Sequence, residues 1–263
     1  MSIAGISIVT AACPEGGVLP LAPGTPAGMA AHITRQRPLP VLRAGTELRD
    51  APDGRPLFRV TGRALLPLRD GPHAWPCPLL TALAPHHDDG SPRAFFPARR
   101  GRSLAWITLS DKGAAGQRDD TGGPAIERMV RERLPLCHAQ GFLLPDDAPS
   151  LRALLVELAL GQGYDLICTT GGTGLGPRDV TPEATLAVLE RRLPGFEQAM
   201  TAAGLSTTPH AAISRAVAGT LGLSVIINLP GSRKAVLENL AAVLPALPHA
   251  LDKLHGDPAD CGG

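Results

Sequence analysis

From Leu104 onward, apolar runs of strand length alternate with segments whose apolar residues recur at helical spacing, and that alternation leaves few folds open. LAWITLS (104–110) has the pattern of a buried strand, and a Gly/Asp-rich turn leads from it into the helical run PAIERMVRERL. CHAQGFLLP (137–145) is a second strand, and SLRALLVELALGQG a helix that Ser150 or Asp147 can cap. DLICTT (165–170) is a third strand and ends in a glycine-rich loop. TPEATLAVLERRL follows as a helix, with Pro182 in its first turn and Glu183 near the positive end of its dipole. SVIINLP (224–230) is the fourth strand, and SRKAVLENLAAVLPALPHAL a long final helix bent at Pro245. The order predicts an α/β fold, a mostly parallel sheet with helices on both faces. Such sheets bind ligands at the carboxyl ends of their strands.

The first hundred residues differ. Of the 27 prolines, 15 fall there, and short strand-like pieces such as Pro56–Val60 lie between turn signals such as Asp53-Gly54. Residues 1–100 are therefore expected to form a small β-rich or irregular module of unassigned role. Residues 101–256 form the α/β domain, with ARRGR (98–102) as the linker and 257–263 as a disordered tail. HHDDG (86–90) with His73 suggests a metal site or a polar surface loop, and the loop is the simpler expectation.

Composition narrows the partners. A net charge of +1 and 3% aromatics argue against a nucleic-acid surface or a base-stacking platform. No run of about 18 apolar residues occurs, and no Lys or Arg precedes Arg35, so neither a membrane span nor a basic leader is expected. Cysteines at 13, 77, 137, 168 and 261 show neither metal-ligand spacing nor a disulfide framework, which suits a reducing cytoplasm. Small molecules or further copies of the chain are the expected partners.

Four polar clusters fall at the four strand ends. In TTGGTGLGPRDVTPEAT (169–185), glycines at 171, 172, 174 and 176 allow backbone N–H groups to approach an anion. Arg178 is placed to pair a phosphate there, and Asp179 to hold a metal ion. In LPDDAPSL (144–151), Asp146 and Asp147 can divide the work, one as a magnesium ligand and one as a helix cap. Ser110 and Asp111 leave the first strand, and DDTGG (119–123) feeds a helix start that is either an anion site or a plain cap. Ser214 and Arg215 are candidates for binding phosphate or other polar ligand groups. Asn228 ends the fourth strand, and Gly231 with Ser232 forms a further helix-start anion site or cap.

Together, in unbroken order over about residues 103–255, these stretches resemble the molybdopterin adenylyltransferase family, which includes bacterial Mog-type enzymes and the G domain of plant and animal homologues. The resemblance implies the molybdopterin-binding fold, commonly a homotrimer, and a reaction of molybdopterin with ATP and Mg²⁺ that gives adenylyl-molybdopterin and pyrophosphate. It implies Asp146 and Asp179 as the catalytic, metal-holding pair. The pterin-phosphate site would then comprise Ser110, Asp111, Gly171, Gly172, Thr173, Gly174, Ser214 and Asn228, with Gly231 beside them. A molybdate-insertion protein would receive the product. The competing expectation is a pterin-binding or scaffold module of the same fold without catalysis. A phosphate monoester is already anionic near neutral pH, so the two aspartates are expected to organise magnesium and triphosphate rather than to remove a proton.

Overall fold

The computed structural model describes residues 5–24, 32–35, 40–69, 72–87 and 90–258. They divide into two units, Met1–Arg100 and Gly101–Gly263. In the first unit the short strands close on themselves. They are β1 (Ile6–Val9), β2 (Val18–Ala22), β3 (Ile33–Arg35), β4 (Glu47–Arg49), β5 (Pro56–Pro67), β6 (Ala74–Ala82) and β7 (Arg93–Ala98). The barrel runs β1-β3-β2-β6-β5-β4-β7, and β7 returns to β1 through the pairs Ile6–Phe95 and Ile8–Arg93. Closure leaves no free sheet edge. Side chains fill the interior, with Ile8, Leu21, Leu48, Phe58, Leu80 and Phe95 all buried. Phe58 and Phe95 meet edge to face with ring centres 5.9 Å apart.

The stretch expected to be a surface loop at HHDDG starts inside this unit's packing. His86 is buried, its Nε2 lies 2.5 Å from Thr10 Oγ1, and its backbone pairs with that of Cys13. Asp88 and Asp89 lie outside the described residues, as do residues 259–263 of the tail expected to be disordered. No helix among the described residues is long and apolar enough to cross a membrane.

The second unit is built on β8 (Arg102–Leu109), β9 (Leu136–Leu144), β10 (Leu166–Thr170), β11 (Arg191–Arg192), β12 (Ala218–Leu221) and β13 (Ser224–Leu229). The sheet order is β11-β12-β13-β10-β8-β9. β9, β8, β10 and β13 run parallel, while β12 and β11 add an antiparallel edge. Its helices are α1 (Asp111–Ala114), α2 (Gly123–Arg131), α3 (Ala148–Val156), α4 (Thr181–Leu186), α5 (Pro194–Thr207), α6 (Arg233–Val243) and α7 (Leu247–Leu254). Every residue of β10 and β13 is buried, which requires cover on both faces. Leu104, Leu166, Cys168, Val225 and Ile227 share one core with Ile126 and Val130 of α2 and Val236 and Leu240 of α6. Strand alternation turns Ile107, Ile167 and Ile226 to the other face, where Asn228 reaches Thr185 of α4. The expected α/β architecture is present.

Four elements differ from expectation. The helix expected over TPEATLAVLERRL stops at Leu186, because Arg191 and Arg192 pair instead with Thr220 and Gly219 of β12. Gly219 permits that approach, since a Cβ there would collide with the Arg191 carbonyl and the Leu189 side chain. Pairing thus overrides the helical propensity of this stretch. The final helix is broken rather than bent, into α6 and α7, with Pro245 supplying no N–H between them. Helix α5 and strand β12 are additions that the apolar spacing does not announce.

At the amino-terminal ends of the parallel strands, Asp165 is fully buried. It accepts from the Ser103 N–H at 2.6 Å and the Ser103 hydroxyl at 3.2 Å, and His255 Nε2 lies at 3.3 Å. Arg102 approaches to 4.0 Å and pairs with Asp252 as well. This network fastens β8 to β10 at the end opposite the polar clusters.

Candidate active site

The carboxyl ends of β8, β9, β10 and β13 each open into one of the polar loops. After β10, Gly171 has φ 101° and any Cβ on it would lie 2.5 Å from the Leu109 carbonyl oxygen. Only glycine lets the loop pass this close to β8. Thr181 Oγ1 donates to the Gly171 carbonyl at 2.9 Å, closing the loop onto the start of α4. Further along, the Gly176 N–H donates to Asp179 Oδ2 at 2.7 Å, and the Asp179 N–H returns to the Gly176 carbonyl at 2.9 Å. That leaves Asp179 Oδ1 available.

Arg215 belongs to the scaffold. Its backbone N–H donates to the Thr173 carbonyl, and its guanidinium to the carbonyls of Gly174 at 2.8 Å and Asp179 at 2.7 Å, with Glu183 as ion-pair partner. The side chain is occupied in fixing the glycine loop, which corrects its expected role in binding phosphate or other polar ligand groups. Arg178, expected to meet a phosphate, pairs with both carboxylate oxygens of Asp111 at 2.7 Å.

At the end of β8, Ser110 Oγ accepts from the Gly113 N–H at 3.0 Å and caps the single turn of α1. Asp111 accepts the Asp146 backbone N–H at 3.0 Å, and Asp146 accepts that of Asp111 at 3.3 Å. The Asp146 N–H and the Arg178 guanidinium hold the Asp111 carboxyl below its ordinary range. Burial pushes Asp146 up, and the nearby charges of Asp111 and Asp179 add to the rise. Asp147 takes the other role anticipated for the pair, accepting the Ser150 N–H at 2.9 Å as the cap of α3.

Two expected anion sites are filled by the chain itself. Asp120 Oδ1 accepts from the Gly122 and Gly123 N–H groups at 3.0 and 2.9 Å, and Oδ2 from Thr108 Oγ1 at 2.8 Å. Asp120 is therefore the cap that leads into α2. Ser232 Oγ accepts the Ala235 N–H at 3.2 Å and caps α6.

Two adjoining cavities result. The smaller, about 220 Å³, is lined by Ser110, Arg118, Asp120, Asp146 and Gly171 among others. The larger, about 390 Å³, lies among the glycine loop, α5, residues 208–216 and the start of α6, with Thr173, Gly174 and Ser214 in its wall. Gly172, Asp179 and Gly231 line both. Asp111 and Asn228 line neither. Asn228 is wholly buried, its amide donating to Thr169 Oγ1 at 2.9 Å and Thr185 Oγ1 at 3.0 Å, so it braces β10 and α4 rather than facing a ligand. Spacing does not single out Arg118, yet it stands in the smaller cavity and makes no hydrogen bond or ion pair among the described residues. Nothing in the sequence separates it from Arg178 or Arg215, because the difference is one of available partners.

No group of three or more His, Cys, Asp or Glu among the described residues could hold a metal ion by itself. Asp146 and Asp179 nonetheless line the same cavity, and the Asp179 charge raises the proton affinity of Asp146, a repulsion that a cation would relieve. Two carboxylates suit magnesium, which completes its shell with water and phosphate oxygens.

Residues 105–249 match the family model described as "Probable molybdopterin binding domain". The chain is similar to a molybdopterin adenylyltransferase of Haemophilus influenzae, with 41% identity over 53% of this chain and 72% of that one. It is also similar to gephyrin of Dictyostelium discoideum, 39% identical over 58% of this chain but spanning only 22% of that longer protein. Among solved structures, the molybdopterin biosynthesis enzyme MoaB of Thermus thermophilus superposes with a TM-score of 0.56 at 48% identity, covering 60% of this chain and 99% of that one. The Mog protein of Mycobacterium ulcerans gives 0.54 at 37% identity, covering 58% of this chain and 99% of its own.

Proposed function

The chain belongs to the molybdopterin-binding family through residues 105–249, and from that premise we propose that it is a molybdopterin adenylyltransferase of molybdenum cofactor biosynthesis. It transfers AMP from ATP to the terminal phosphate of molybdopterin and releases pyrophosphate. Relatives of that name at 41% and 38% identity support this reading. The observation that carries it is the pair of cavities meeting at Gly172, Asp179 and Gly231. A group transfer between two large substrates needs two compartments with one shared wall.

An oxygen of the pterin phosphate attacks the α-phosphorus, the new P–O bond forms, and the bond to the bridging oxygen breaks, its electron pair leaving with pyrophosphate. The attacking phosphate needs no base at neutral pH, so the site supplies alignment and charge. The N–H groups of Gly172, Thr173 and Gly174 and the Ser110 hydroxyl orient phosphate oxygens on the two sides of the shared wall. Arg118, the uncommitted cation, takes the charge that accumulates on the leaving group. Asp146 and Asp179 would hold magnesium, which neutralises polyphosphate charge when bound. Asp111 and Arg178 act by positioning Asp146 and the 176–179 turn.

The active form is a homotrimer that passes its product to a molybdate-insertion protein in the cytoplasm. The thiols of Cys13, Cys77, Cys137 and Cys168 fit a reducing compartment. Incubation of the full chain with molybdopterin, ATP and magnesium tests the reading by release of pyrophosphate. Pterin binding without that release would favour the non-catalytic module.

A further inference from the structure

The larger cavity has apolar walls, including Met200, Ile213, Ala216 and Pro230, and its volume of about 390 Å³ accommodates a fused bicyclic ring. Most of its polar side chains are already engaged. Glu197 accepts from the Ala218 N–H at 3.1 Å and from Arg192. Thr201 donates to the Glu197 carbonyl, Thr208 accepts from the His210 N–H, and the Asn239 amide donates to the Ala235 carbonyl. Beside Asp179 Oδ1 and the Thr173 hydroxyl at the glycine loop, two further oxygen-bearing groups remain. Ser214 Oγ is buried without a partner, and the Glu238 carboxylate has only Lys234 nearby, at 3.8 Å, too far for a hydrogen bond. The Glu238 side chain is 26% exposed while the Lys234 side chain is 78% exposed, so the cation is largely in solvent. The Glu238 carboxylate thus lines the cavity with both oxygens open to donors that a ligand brings.

We infer that Glu238 reads the guanine-like edge of the pterin, its two oxygens accepting from the ring N3–H and the 2-amino group, and so decides which ring enters the larger cavity. The inference rests on the proposed function for the identity of its ligand. A pterin carries two adjacent donors on that edge, spaced to meet both oxygens of one carboxylate. Adenine offers one amino donor beside a ring-nitrogen acceptor, which an anionic oxygen repels. Glu238 thereby admits the pterin and turns the adenine of ATP away to the smaller cavity. Guanine has the same donor pair and should compete for the site where adenine does not.

The test uses the full chain and a fluorescent probe, oxidised 6-hydroxymethylpterin monophosphate, beside its 2-oxo counterpart, in which a carbonyl replaces the amino group. Wild type is expected to bind the pterin at least about 10-fold more tightly than the 2-oxo compound. Glu238→Gln, which turns an N–H₂ toward those donors, should weaken pterin binding by about 10- to 100-fold and abolish the preference, with ATP affinity unchanged. Glu238→Asp should keep the preference at reduced affinity. Equal binding of the two probes by wild type overturns the inference without recourse to any variant. So does a folded Glu238→Gln protein that binds pterin normally or loses ATP instead. Wild type that shows the preference yet releases no pyrophosphate would refute the proposed function alone.

Discussion

Asp111 and Asp146 close each other's loops: each carboxylate accepts the other's backbone N–H, at 3.0 and 3.3 Å. This exchange ties the end of β8 to the end of β9, and the Arg178–Asp111 pair extends it to the loop after β10. Asp111 lines neither cavity, so its effect on chemistry passes through Asp146. Asp111→Ala should lower kcat by up to about 100-fold through displacement of Asp146. The pterin Kd and the thermal midpoint should change little. A loss confined to pterin affinity would make Asp111 a ligand instead.

Asp146 must be ionised to hold a cation, and burial with two acidic neighbours raises its pKa. The acid limb of kcat/KM should therefore lie above the ordinary carboxylate range, activity falling as pH drops through it. Arg178→Gln removes a charge that lowers this pKa and should move the limb to higher pH. An unmoved limb in a pH–rate profile would assign it to another group.

The same shift carries a stability sign. A carboxyl with a raised folded-state pKa stabilises the fold below its unfolded pKa, and that contribution is lost as pH rises through the folded value. At neutral pH the ionised Asp146 is thus a burden on the metal-free protein. Asp146→Asn should raise the thermal midpoint by roughly 1–2 °C at pH 7 while abolishing turnover. A lower midpoint would show that the charge helps to hold the loops.

Arg118→Ala should raise the KM for ATP roughly 10-fold, less so at high salt, and leave pterin binding intact. Initial rates at varied ATP and fixed pterin decide this.

Asp165 offers the contrasting case. Asp165→Ala takes the carboxylate from buried Ser103 and partly buried His255 at the far end of the strands and should cost about 3–5 kcal/mol of stability. Denaturant unfolding measures the loss, and kcat per folded molecule should not change.

Much of this arrangement is legible in the chain, because the parallel strands are short apolar runs and their loops carry glycine and aspartate where the backbone turns. What escapes is what depends on distant partners. The stretch VLERRL has helical composition, and only the approach of Gly219 draws Arg191 and Arg192 into a strand. Closure of the first unit requires β7 to find β1, more than eighty residues away, which no local pattern encodes. Asn228 stands at the expected strand end but lines neither cavity. The alternation that puts Val225 and Ile227 in one core already points Asn228 the other way, toward Thr185. Arginines 118, 178 and 215 look alike in sequence and differ only in which acids and carbonyls stand beside them.

The most direct test of the central claim follows the label from ATP radioactive at its α-phosphorus, with molybdopterin and magnesium, in wild type and in Asp179→Ala. The account predicts that wild type moves the label onto the pterin with one pyrophosphate released per transfer, and that Asp179→Ala, which alters the shared wall of both cavities, transfers almost none. Unchanged transfer by Asp179→Ala, or pterin bound by wild type without ever acquiring label, would contradict it.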